Sequence, residues 1–116
     1  MQVLRTWLAV ALFAASTLAL AHHGWSGYDA SQTVTLTGKV AAVEFTYPHA
    51  TIRLETQGKT WVAVLAPPYR MENRGLPGDN LKPGMTVTVI GYPHREDASE
   101  MRAERILVGE KTVELR

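Results

Sequence analysis

The chain contains no cysteine in 116 residues. Disulfide staples, thiolate metal sites and cysteine nucleophiles are therefore excluded. No HExxH or CxxC spacing is present either. Gly24-Trp25-Ser26-Gly27 does not fit the GxSxG elbow, which also needs a strand–turn–helix setting. An excess of one charge is missing as well, with 12 Lys+Arg against 11 Asp+Glu. Without Arg5 the balance is 11 to 11, which offers no electrostatic footprint for a phosphate backbone and excludes nucleic acid as the expected partner. Finally, no apolar run reaches the roughly 18 residues of a membrane span.

The longest apolar run, Trp7–Leu20, follows a short start whose only charge is Arg5, and it leads into Ala19-Leu20-Ala21. A positive start, an apolar stretch and small residues at −3 and −1 make residues 1–21 a cleavable export signal. An uncleaved anchor is the competing reading; cleavage after Ala21 would leave no stable membrane anchor and make His22 the mature N-terminus. The periplasm is the expected destination. The remaining 95 residues (116 − 21) suffice for one domain. A domain that size buries only about 60–65% of its unfolded surface. Without disulfides, its core must suffice or a metal or partner must help.

Residues 22–32 carry two glycines and no periodicity, which predicts an irregular leader before a domain at 33–116. In Thr33–Thr46 the residues Val34, Leu36, Gly38 and Val40 alternate with polar ones, then the phase slips at Ala41-Ala42 before Val43 and Phe45. A one-residue slip in a long strand predicts a bulge, and Gly38 fits the same bend. Ala50–Thr56 and Thr60–Leu65 flank a Gln57-Gly58 hairpin signal. Pro68 opens a short helix through Arg74, closed by Gly75. Met85–Tyr92, Glu100–Val108 and Thr112–Leu115 complete an all-β chain of five to six strands with one short helix between the third and fourth. That order predicts a small OB-like barrel, whose ligand face is framed by the loops joining strands 1–2 and 4–5. A β-sandwich competes, but it usually needs about seven strands and no internal helix.

The phrases His22-His23-Gly24-Trp25-Ser26 with Tyr28-Asp29, Tyr47-Pro48-His49-Ala50, and Leu65-Ala66-Pro67-Pro68 with Arg70 carry a likeness. So do Arg74-Gly75-Leu76, Leu81-Lys82-Pro83-Gly84, Gly91-Tyr92-Pro93 and Arg102-Ala103-Glu104-Arg105-Ile106. In this order they resemble a family of small, uncharacterised exported bacterial proteins, a domain of unknown function. The likeness covers nearly all of the mature chain. One departure is at Phe45 and Tyr47, where such proteins tend to have Trp and Asn. The resemblance implies an exported OB-like barrel and lends no activity.

Candidate chemistry falls in the irregular segments. His22 and His23 start the mature chain, His49 lies in the loop between strands 1 and 2, and His94 in the loop between strands 4 and 5. In an OB-like barrel these two loops flank one rim, which predicts that His49 and His94 converge. An N-terminal histidine can chelate through its amine and its ring, and a second imidazole completes a brace suited to Cu(II). Both groups deprotonate near neutrality. A metal site of His22, His49, His94 and His23, holding copper, is one expectation. Its plain alternative is a mobile polar terminus and exposed loop histidines. Glu96-Asp97 beside His94 could orient that ring or simply be a solvated loop.

The second expectation is a metal-free binding module for a small molecule, glycan or peptide. It would use Tyr47, Tyr92, Trp25 and Tyr28, because barrel faces of this kind bind ligands through stacking and apolar contact. Packing competes for Trp25 and Tyr28, and more strongly for Trp61. No acid pair or nucleophile stands out, so catalytic residues are not assigned and an enzyme ranks last, as copper redox chemistry on the same site. Arg102–Arg105, alternating in sign with Glu100 and Glu104, reads as a solvated strand face.

Overall fold

The computed structural model describes residues 24–116, so the expected export signal at 1–21, its expected cleavage point, His22 and His23 lie outside the described residues. Six strands follow in order: β1 (Val34–Glu44), β2 (Thr51–Thr56), β3 (Lys59–Val64), β4 (Thr86–Pro93), β5 (Glu100–Val108) and β6 (Lys111–Glu114). Among the described residues the one α-helix, α1 (Pro68–Asn73), joins β3 to β4. Strand neighbours run β3-β2-β1-β4-β5, and a parallel pairing of Val62–Val64 on β3 with Glu100–Arg102 on β5 closes the ring. β6 adds to β5 from outside. The fold is an OB-like barrel of five strands with one extra strand.

β1 makes the closure possible. Its first half, Val34–Lys39, pairs with β4, and its second half, Lys39–Glu44, pairs with β2. The register shifts between Val40 and Ala42, where the apolar phase slips in the sequence. The bulge bends the strand and lets both halves keep their side chains on the core. Val40 is fully buried before it, and Val43 and Phe45 pack on the core after it. At Gly38 a Cβ would lie 2.2 Å from the Glu55 carbonyl oxygen, so β1 crosses β2 at a distance only glycine permits.

Alternation fills the interior: Ala50, Ile52 and Leu54 from the β2 side, Val87 and Val89 from β4, and Met101, Ala103 and Ile106 from β5 are buried. Met71 of α1 is fully buried among them, with Leu76 just after the helix. Pro68 occupies the first turn of α1, where a missing N–H costs nothing, and Gly75 ends it at φ +95°. Gln57 (φ +54°) and Gly58 (φ +77°) form the two-residue turn between β2 and β3. Gly78–Asn80 forms a short 3-10 turn that the periodicity did not mark.

A second register shift lies between Ile90 and Gly91 of β4, opposite Arg105 and Ala103, leaving Glu104 as the extra residue. There a Cβ on Gly91 would sit 1.9 Å from the Arg102 carbonyl oxygen and 2.7 Å from the Ala103 Cα. Backbone cannot yield as a side-chain tip can. Gly91→Ala is therefore expected to lower unfolding free energy by about 3 kcal/mol or more. Gly24→Ala, which meets nothing within 4 Å, should stay within about 0.5 kcal/mol. Urea unfolding of the two variants checks the contrast.

Candidate functional site

The segment before β1 docks on the barrel. After a 3-10 turn at Trp25–Gly27, the chain runs beside the end of β4 and bridges Tyr28 to His94. Asp29 N–H donates to the Pro93 carbonyl at 2.8 Å, and Arg95 N–H donates to the Gly27 carbonyl at 2.9 Å. The Asp29 carboxylate accepts from Ser31 N–H, Ser31 Oγ and Gln32 Nε2, bonds that hold it below the usual carboxylate range. Residues 24–33 form turns and bends, and they pair with the sheet through one isolated bridge, Tyr28 to His94.

Tyr28 anchors it. Its ring is buried, meets the His94 ring edge-on at 5.1 Å, and its hydroxyl donates to Glu100 Oε2 at 2.5 Å. Burial first, then the Glu100 carboxylate, pushes the Tyr28 phenol well above its ordinary value. His94 accepts at Nδ1 from the backbone N–H groups of Glu96 (3.1 Å) and Asp97 (3.0 Å). It is the main chain of these residues, rather than their carboxylates, that orients the ring. Nδ1 thus carries a lone pair already engaged, and Nε2 faces Gly27, 3.7 Å from where a Cβ would stand. Tyr28 thus packs the leader onto the barrel, and the His94 ring ties the β4–β5 loop together at Glu96 and Asp97.

His49, half-buried at the end of the β1–β2 loop, accepts at Nε2 from Arg102 Nη2 at 2.9 Å; a guanidinium has no acceptor, so this nitrogen supplies the lone pair. Arg102 overturns the reading of its stretch as a solvated face: it is only 6% exposed. Its Cζ lies 4.3 Å from the centre of the Trp25 ring, and the Cζ of Arg116 lies 4.5 Å from the same centre. Trp25 also meets Tyr92 edge-on at 6.1 Å. The Tyr92 hydroxyl donates to Glu104 Oε1, which raises its pKa. Tyr47, after which the peptide to Pro48 is cis, is 65% exposed.

The two loop histidines are thus joined through the leader: Arg102 and Trp25 stand on the His49 side and Tyr28 on the His94 side. Among the described residues no group of three or more His, Asp or Glu gathers as metal ligands would. A groove at the β2–β3 hairpin is lined by Glu55, Thr56, Gln57, Gly58, Lys59 and Thr60, none of them among these site residues. Trp61 packs partly on the core with Lys59 Nζ 4.0 Å above its ring. The sequence reading missed Arg102. Its only signal was an arginine between Met101 and Ala103, two residues that alternation sends to the core.

A model of a family of unknown function (DUF6152) matches residues 10–102, from before the barrel to Arg102 on β5. No curated protein matches the chain.

Removing the Tyr28 hydroxyl leaves the Glu100 carboxylate without its donor, so Tyr28→Phe should cost about 1–3 kcal/mol. Because the folded state holds the phenol protonated above its ordinary value near 10, wild-type stability is full below about pH 10 and falls as pH rises beyond it. The phenylalanine variant should lose part of that alkaline slope. Urea titrations at pH 8, 10 and 11 measure both effects, and an unchanged slope would contradict the assignment to Tyr28.

Proposed function

The chain belongs to this family of unknown function, and from that premise, which carries no activity, we propose that it is a binding module for a small molecule. The site is the face where residues 24–28 cross the barrel between the β1–β2 and β4–β5 loops. The supporting observation is the aromatic and cationic layer gathered there on a closed barrel: Trp25 against Tyr92, with Arg102 beneath and Tyr47 exposed on the adjoining loop. Barrels of this type take ligands between these two loops, by stacking on rings with a few fixed polar groups for orientation. A rigid β-sheet floor and a short docked segment provide both. In the cell the module would work outside the cytoplasm once residues 1–21 are removed.

The test is a titration of the chain, purified after export with its N-terminus defined by mass spectrometry, against single amino acids, dipeptides, mono- and disaccharides and organic acids. Binding is followed by the indole N–H resonance of Trp25. Saturable shifts are expected for at least one class. Their midpoint should rise about tenfold, or 1.4 kcal/mol, in Tyr92→Ala and Tyr47→Ala. The absence of any saturable shift across the panel would overturn the reading.

A copper-binding reading has one observation in its favour. His22 is three Cα steps of about 3.8 Å from Trp25, so its amine and ring start within about 11 Å of a residue that sits on Arg102, the partner of His49. Both candidate second imidazoles already carry partners, Arg102 at His49 Nε2 and two backbone donors at His94 Nδ1. Copper at His49 Nε2 would have to displace the Arg102 guanidinium. One-to-one Cu(II) binding with a nitrogen-ligand EPR signal, lost in His49→Ala and on adding one residue before His22, is the expected outcome under this reading. Weak binding equal in all three proteins would rule it out.

A further inference from the structure

Among the described residues, no group of opposite charge pairs with Arg102. It is 6% exposed, and its Nε is buried with no hydrogen-bond partner. Buried charges in proteins are ordinarily paired, since a cation removed from water needs compensation. Its side-chain bond among the described residues, to His49 Nε2, goes to a ring nitrogen that accepts through its lone pair. The nearby carboxylates serve other groups: Glu100 accepts from Tyr28, and Glu104 accepts from Tyr92 and lies 3.8 Å from Arg116. What does face Arg102 is more positive charge, from Arg70 and Arg116. Arg70 is held there by donating from Nη1 to the Leu115 carbonyl at 3.1 Å.

Two guanidiniums share one ring. Arg102 and Arg116 each place Cζ within 4.5 Å of the centre of Trp25. Trp25 opens a three-residue turn with no fully buried residue, held to the barrel at Ser26 and Gly27 by Arg95 and by the residues that follow. A guanidinium offers parallel N–H donors in a fork that matches two oxygens of a carboxylate or phosphate, and an aromatic plane beside it keeps that fork oriented.

We propose that Arg102 and Arg116, flanking Trp25 and backed by Arg70, form an oxyanion-binding site, so that the ligand of this module bears a carboxylate or a phosphate. The bound oxyanion gives the buried Nε of Arg102 its missing acceptor and neutralises the cluster. This inference rests on the binding-module reading and names the ligand class for the same face. It stands apart from the copper reading, since the cluster repels cations.

The test uses the exported chain, ¹⁵N-labelled and kept in EDTA, followed at the Trp25 indole N–H and the Arg102 Nε–H. Sodium phosphate and sodium citrate are added against sodium chloride at matched ionic strength. Saturable shifts at both resonances with phosphate, citrate or both, and none with chloride, are expected; which salt saturates tells phosphate from carboxylate. The midpoint should rise about tenfold in Arg116→Gln and in Arg102→Lys, which keeps charge and loses the fork. It should be unchanged in Arg105→Gln, whose guanidinium pairs with Glu114. Should Arg102→Lys fail to fold, Arg116→Gln decides alone, because Arg116 is 55% exposed and free of any core role. Shifts that follow ionic strength only, or midpoints equal in Arg116→Gln and Arg105→Gln, overturn the oxyanion site. If uncharged ligands then still saturate at Trp25, the module stands and only its ligand class falls; if nothing saturates, both fall.

Discussion

β1 must hydrogen-bond to β4 along one half and to β2 along the other, and everything else in the molecule follows from that constraint. A straight strand cannot serve two neighbours on a ring of five while keeping one face inward. The bulge between Val40 and Ala42 resolves the conflict by adding one residue where the strand turns. Gly38 supplies the close crossing over Glu55. Only then do β3 and β5 come near enough to pair in parallel and close the barrel. The closure also brings His49, at the end of the β1–β2 loop, against Arg102 of β5.

The same closure explains a buried arginine on a strand that looks solvated. β5 sends Met101 and Ala103 inward, so Arg102 points away from the core. On most barrels that face would meet water. Here residues 24–29 fold back along the end of β4, placing Trp25 over the guanidinium, and the β1–β2 loop sets His49 against its tip. Burial weakens the hold of Arg102 on its proton, and the like charges of Arg70 and Arg116 add to that effect. The docking of a few residues thus converts an ordinary surface cation into a desolvated one. A desolvated donor is a stronger recognition group than a hydrated one, provided that it meets an acceptor.

Much of the barrel was legible in the chain, for reasons that are local. Period-two alternation places Ala50, Ile52, Leu54, Val87 and Val89 inward, and all five are buried. The slip at Ala41-Ala42 marks the bulge, because a change of phase has no other cheap explanation in a strand. Gln57-Gly58 and Gly75 mark positive φ, which few other residues tolerate. The site was legible only in part. The aromatic residues and histidines stand out by type, yet their partners do not. That His94 is held by main-chain donors, that Tyr28 bonds Glu100 across 72 positions, and that Arg102 is covered are facts of long-range contact.

The sequence by itself determined the class of the fold, its strand order with one helix after the third strand, the position of its bulge and turns, and the absence of disulfide and thiol chemistry. These rest on side-chain period, backbone restriction and composition, each confined to a few neighbouring residues. Only the tertiary structure decided that Tyr28 bridges to His94, that His49 meets Arg102, and that two arginines share the ring of Trp25. Burial of a polar side chain depends on what folds over it, and what folds over Arg102 lies some seventy positions earlier in the chain. No local pattern encodes that distance; the closed barrel and its docked segment do.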